Sequence, residues 1–224
     1  MRIFRKSLVP AILLLVIVVA LIAGGPSNRL DREAIRALAS IRADSPGLTH
    51  AAIILTHAGS AYGTIGLGLV AALALWLTGA GRRAVLLAAG VAGERLVADG
   101  LKLIIDRPRP AFDAHPVLTS SSSFPSGHAA NTMGAFLIIA MVTAPPRFRS
   151  AAMIAALLAS LAVGATRPYL GVHWPSDVIG GWSLGLLAVW IVLRVGERSG
   201  VLANEPQHDV VGGHRAAIGE NEAA

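Results

Sequence analysis

The stretch PSGHAANTMGAFLIIAMVTAPPRFR, residues 125–149, decides the fold. It opens on the polar turn Pro125-Ser126-Gly127-His128. An uncharged, mostly apolar run follows over 129–144. The run stops at Pro145-Pro146, beside Arg147 and Arg149. A long uncharged run with arginines at one end reads as a membrane span whose basic end faces the cytoplasm.

Working outward, five further apolar runs repeat this pattern, at 8–24, 52–77, 84–105, 151–165 and 177–193. Composition agrees, with 54% apolar residues, 14% charged residues and a mean hydropathy of +0.63. A soluble domain of this length needs more polar surface. The expected fold is all-α, a six-transmembrane-helix bundle over 1–202, followed by a polar, Gly-rich and disordered cytoplasmic tail over 203–224. Met1–Lys6 is basic and Leu8–Ala23 apolar, as in a cleaved signal. The run is long for a signal core and more spans follow, so an uncleaved first helix is expected.

Between the first two spans, residues 28–42 alternate charge with Leu30, Ala34, Leu38 and Ile41 at helical spacing, with Ser27 or Asn28 as cap. This predicts an amphipathic helix at the outer interface. Cations flanking the spans cluster at the N-terminus, at Arg82-Arg83, at Arg147 and Arg149, and at Arg194 and Arg198. These places share one side, which puts both termini in the cytoplasm; Arg29, Arg32, Arg36 and Arg42 of the first outer loop run counter to it. Such arginines account for the net charge of +6 without a nucleic-acid partner. With no cysteine, disulfides, thiolate catalysis and iron–sulfur ligation are excluded. Glu94, Arg95 and Asp99 inside the third span are expected to form a structural ion network.

Three polar clusters fall on the outer side. Lys102 is followed after six residues by Arg109-Pro110. Pro125-Ser126-Gly127-His128 opens the fourth span. Thr166-Arg167 is followed after five residues by His173, and after three more by Asp177. Lys102, Arg109 and Arg167 supply positive charge, the two guanidiniums as planar forks suited to phosphate oxygens. Ser126 adds a hydroxyl. Gly127 permits close backbone approach at a helix N-terminus, where an anion is favoured. The set suits binding of a phosphoester and stabilisation of the charge that develops on its oxygens.

These three clusters resemble the signature of the type 2 phosphatidic acid phosphatase family, over about 102–177. Thr166 departs from the family's usual Ser but keeps a hydroxyl. The resemblance implies a membrane lipid phosphatase with an extracytoplasmic active site, in the cell membrane, acting on a lipid phosphomonoester or pyrophosphate. Undecaprenyl pyrophosphate, phosphatidylglycerol phosphate and phosphatidic acid are all compatible. It implies His173 as nucleophile, forming a phosphohistidine, with Asp177 holding its imidazole and His128 serving the leaving group and then water. Lys102, Arg109, Ser126, Gly127 and Arg167 would bind the phosphate. No cofactor and no metal are expected, since the outer side lacks clustered carboxylates or histidines at ligand spacing. A phosphotransferase of the same fold and a transporter of a phosphate-bearing lipid are the rival readings; a transporter needs no nucleophile. Oligomeric state is not legible.

Other residues carry weaker expectations. Arg107 stands at the wrong distance from Lys102 and reads as a surface charge. Tyr169 and Trp174 read as interfacial anchors. His50, His57 and His115 have no identifiable partner, and His208 and His214 lie in the tail.

Overall fold

The computed structural model describes residues 2–112, 116–117 and 121–202. The tail over 203–224 and its two histidines, together with His115, lie outside the described residues. Every regular element among those described is helical: α1 (Arg2–Ala23), α2 (Arg29–Asp44), α3 (Pro46–Ala58), α4 (Ala61–Leu77), α5 (Gly81–Ile104), α6 (Gly127–Thr143), α7 (Arg149–Tyr169) and α8 (Pro175–Arg198), with a 3₁₀ turn at Pro146–Phe148.

Helix α6 is the central column and is buried on nearly every side. It packs against α4, α5, α7 and α8, while α1 packs on α8 and α3 on α7. Small residues permit this. A Cβ on Gly185 of α8 would lie 2.7 Å from the Ala130 carbonyl and 2.7 Å from Met133 Cβ. Below this contact Leu87, Val91, Ile138, Met141, Val142 and Val192 form the apolar core. Leucine and valine side chains such as Leu15, Leu69, Val70 and Leu158 cover the outside of the bundle.

Among the described residues, two helices are long and apolar enough to cross a membrane, Pro146–Tyr169 and Pro175–Arg198. The single span expected over 52–77 is broken. Gly59 and Ser60 separate α3 from α4, the pair qualifying together as a third crossing bent by 44°. Ser60 caps α4 by accepting from the Gly63 amide at 3.1 Å. A Cβ at Gly59 would meet Val163 Cγ1 at 2.4 Å and Thr132 Cγ2 at 2.9 Å, so the break also admits α6 and α7. Over Leu8–Ala23, α1 is a shorter apolar helix, as is α6.

Asn28 caps α2, its side chain accepting from the Asp31 amide at 2.9 Å. The amphipathic pattern gives the helix expected, and α2 docks on the bundle. Ile35 is buried, and the Arg42 Nη1 donates to the Tyr169 carbonyl at 2.5 Å. Helix α7 runs on to Tyr169, so Thr166 and Arg167 stand in its last turn rather than in a loop.

The Gly185 contact gives a paired test. Alanine is the better helix former by about 0.5–1 kcal/mol, and Gly93 has no atom within 4 Å of its added Cβ. Gly93→Ala should therefore raise the thermal midpoint in detergent. Gly185→Ala should lower stability by about 1–3 kcal/mol through overpacking. A rise in both proteins would contradict the close α6–α8 approach.

Candidate active site

One end of the bundle gathers all the residues singled out by spacing. Lys102 is in the last turn of α5. Ser126 is the N-cap of α6 and Gly127 and His128 its first residues. Arg167 lies in the last turn of α7, and Asp177 in the first turn of α8. Arg109 and His173 come from the connections between helices. The Ser126 amide donates to the Asp177 carbonyl at 3.0 Å, fastening the α6 and α8 N-termini together. Lys102 Nζ lies 3.2 Å from where a Gly127 Cβ would be, so glycine there gives the ammonium room. His128 lies within the electrostatic reach of Arg167, His173, Lys102 and Arg109.

His173 is buried at 2% exposure. Its Nε2 faces Arg109 Nη1 at 3.1 Å. A guanidinium can only donate, so Nε2 carries the lone pair and Nδ1 the proton. Asp177 Oδ2 stands 3.6 Å from Nδ1, beyond a good hydrogen bond. The close donors to Oδ2 are the Ser123 hydroxyl at 2.5 Å and the Trp174 amide at 2.8 Å. Ser123 Oγ is also 3.5 Å from Nδ1, between the carboxylate and the imidazole.

Arg109 is a fixed fork rather than a free one. It donates to the carbonyls of Ser121 at 2.9 Å and Val172 at 2.6 Å. Arg167 Nη1 donates to Thr56 Oγ1 on α3 at 2.6 Å. Arg167 Nε and Ser126 Oγ are buried without a partner among the described residues. The Thr166 hydroxyl turns back to the Val163 carbonyl at 2.6 Å.

Arg107 corrects the surface-charge expectation. It is buried, and its Nη1 donates to Asp177 Oδ1 at 2.7 Å while its guanidinium lies 4.6 Å from the Phe124 ring centroid. The signal was present: Arg107-Pro108-Arg109-Pro110 is an extended segment, and residues two apart in extended chain share a side. Arg109 thus reaches His173 as Arg107 reaches Asp177. The buried role of Ser123 lay hidden in a serine run. Tyr169 and Trp174 are core residues, not interfacial anchors. The Trp174 Nε1 donates to the Pro108 carbonyl at 2.8 Å, and the Tyr169 hydroxyl is 3.1 Å from Thr49 Oγ1. The Arg95–Asp99 pair forms at 3.2 Å, but Glu94 turns away to pack on Gly134, with Oε1 unpartnered. His57 Nδ1 meets the Ile53 carbonyl of its own helix at 2.5 Å.

The donor set is cationic and suits an anion. No group of three or more His, Cys, Asp or Glu able to hold a metal occurs among the described residues. Burial pushes the His173 imidazole down from its ordinary 6.5 to about 3. Asp177 works against burial, and Arg109 and Arg167 reinforce it. Above 6.5 the native and unfolded chains both hold it neutral. Between 6.5 and about 3 the unfolded imidazole binds a proton that the native one refuses. Stability is therefore lost as the pH is lowered through that window, at up to about 1.4 kcal/mol per unit. His173→Ala removes this contribution. Its thermal midpoint in detergent should gain on the wild type between about pH 7 and about pH 5. Equal pH dependence of the two proteins would contradict a neutral buried His173.

Comparison with known proteins gives a consistent result. Residues 83–200 match the PAP2 superfamily. Phosphatidylglycerophosphatase B of Bacillus subtilis is 41% identical over 110 residues, which are 47% of this chain and 54% of that protein; the match therefore spans about half of that relative's length. Decaprenylphosphoryl-5-phosphoribose phosphatase of Mycobacterium tuberculosis is 34% identical over 170 residues, 71% of this chain and 87% of that protein. The crystal structure of a transmembrane PAP2-type phosphatidylglycerolphosphate phosphatase from Bacillus subtilis superimposes with a TM-score of 0.78 and 31% identity, covering 84% of this chain and 96% of that one. The spacing of the three clusters, their convergence at one end of the bundle and these likenesses have one explanation: the chain belongs to the PAP2 superfamily.

Proposed function

We propose that this chain is a metal-independent lipid phosphatase of the membrane, working through a phosphohistidine on His173. The observation that carries the reading is the pair of buried unpartnered donors, Ser126 Oγ and Arg167 Nε. Arg167 lies within electrostatic reach of His173, and Ser126 caps the helix whose first turn carries His128. Buried donors without acceptors are costly, and phosphate oxygens would satisfy them. The lipid class follows the names of the relatives, a phosphatidylglycerophosphatase and a decaprenylphosphoryl-5-phosphoribose phosphatase.

In this mechanism Lys102, Arg109 and Arg167 hold the phosphoryl oxygens. The Arg109 contact to Nε2 gives way as phosphate takes up the guanidinium. Nε2 attacks phosphorus in line, and the bond to the lipid oxygen breaks as His128 gives that oxygen a proton. Water then attacks phosphorus while His128 takes a proton from it. The P–N bond breaks, inorganic phosphate leaves, and His173 is neutral again. The buried negative charge of Asp177 favours the imidazole while it carries the phosphoryl group.

The six apolar columns act as six crossings, α3 and α4 forming one bent crossing, with both termini cytoplasmic and the site on the outer side. The flanking arginines support this sidedness. Single cysteines at Ser121 and Ser150 test it, since the chain has no native cysteine. An impermeant thiol reagent on intact cells should label the first and spare the second; the reverse would invert the topology.

The activity is tested by phosphate release in detergent, with excess EDTA, from phosphatidylglycerol phosphate, undecaprenyl pyrophosphate and phosphatidic acid. Turnover on at least one lipid is expected with chelator present. His173→Ala should lower it by about 10³-fold or more. Activity lost to EDTA and restored by Mg²⁺, or retained in His173→Ala, would overturn the mechanism.

A further inference from the structure

Arg107 does more than neutralise Asp177. Its Nη2 donates to the Ala20 carbonyl at 3.0 Å and to the Leu21 carbonyl, at the C-terminal end of α1. There the helix dipole favours a cation. Its Nη1 also donates to Ser176 Oγ at 3.2 Å. Ser176 spends its own hydroxyl proton on Asp31 Oδ2 at 2.5 Å, and its amide donates to Asp31 Oδ1 at 3.1 Å. Asp31, buried on α2, also accepts the Gly25 amide at 2.5 Å. Gly25 has φ +92°, a left-handed turn, and Arg107 packs against it. The corner between α1 and α2 therefore wraps the N-terminus of α8 and grips it at Ser176, next to Asp177.

We propose that Arg107 is a positioning residue for the nucleophile, and that the α1–α2 corner, through Asp31 and the Ala20 and Leu21 carbonyls, is part of the active-site support. This rests on the reading of His173 as nucleophile. None of the corner's residues lies in 83–200, the segment that matches the family. The physical case is that Asp177 has no exposure and already stands 3.6 Å from Nδ1. A small rotation of its carboxylate decides whether it meets the imidazole or only Ser123 and the Trp174 amide. Arg107 fixes one oxygen, and with it the orientation of the other. Because Arg107 is itself held by α1, the aim of Asp177 depends on where α1 ends.

The test is a double-mutant cycle of R107M with D177N, read in single turnovers on a labelled lipid and as kcat and KM at steady state. R107M should lower the single-turnover rate and kcat by about 10²-fold, the scale of a misplaced catalytic group, with KM unchanged. In the D177N background the same substitution should cost nothing further, because the residue it aims has lost its charge. R107K, which keeps the charge and loses the fork, should recover part of the rate. D31N should lower kcat in the same direction by a smaller factor. Each protein is first checked for a single gel-filtration peak; if R107M is not recovered folded, the cycle is read with R107K. An equal loss with and without Asp177, or a change in KM alone, overturns the proposal. A wild type unaffected by His173→Ala is a different result, and removes the mechanism beneath it.

Discussion

A carboxylate with no access to solvent has to be surrounded by donors, and in this protein that requirement organises the whole end of the bundle that carries the polar cluster. Asp177 is such a group. An uncompensated buried charge costs several kcal/mol, so Arg107, Ser123 and the Trp174 amide converge on it. Arg107 and Ser123 come from the connection between α5 and α6, and Trp174 from the residues that lead into α8. Once they are in place, the loop carrying Arg109 and the loop carrying His173 have little freedom left. The Trp174 amide also makes Asp177 the first-turn acceptor of α8, so the same carboxylate starts the helix and faces the imidazole.

The donors reach Asp177 because the helices below them pack closely. Gly181 and Gly185 let α8 lie against the backbone of α6, and a Cβ at Gly181 would stand 2.6 Å from the Ser126 carbonyl. That proximity puts the Ser126 amide on the Asp177 carbonyl. In lipid there is little hydrophobic force between helices, so small residues and hydrogen bonds of this kind carry the association. The geometry of the polar cluster and the helix packing are one contact seen from its two ends.

Much of this was legible from residue types and spacing. Charges at Lys102, Arg109 and Arg167, with His128, His173 and Asp177 at helix ends, point to phosphate chemistry wherever the chain places them. The apolar blocks and their flanking arginines give the helices. The unread part depended on backbone conformation. Arg107 was judged by its distance from Lys102, whereas the extended backbone makes its two-residue offset from Arg109 the relevant one. The break at Gly59 hides in an apolar run because Gly and Ser are also common within membrane helices. Tyr169 and Trp174 carry polar handles suited to an interface, and only the fold shows that Thr49 and Pro108 meet those handles inside. Asp31 gave no local sign of a partner 145 residues away.

That last separation has a bearing on how the chain is assembled during synthesis. Helix α1 and Asp31 must await their partners, α8 and Ser176, which are made later. Until then α1 has no groove to fill, and the acceptors on Asp31 are met by water or lipid headgroups. Contacts this distant in sequence are slow to close, because the ends of a long loop must first be brought together. Helix α1 thus waits while the segments between it and α8 are made. Docking of α8 brings Ser176 to Asp31 and Asp177 to Arg107, so a chain that lacks α8 has most of its helices but not the polar cluster they support.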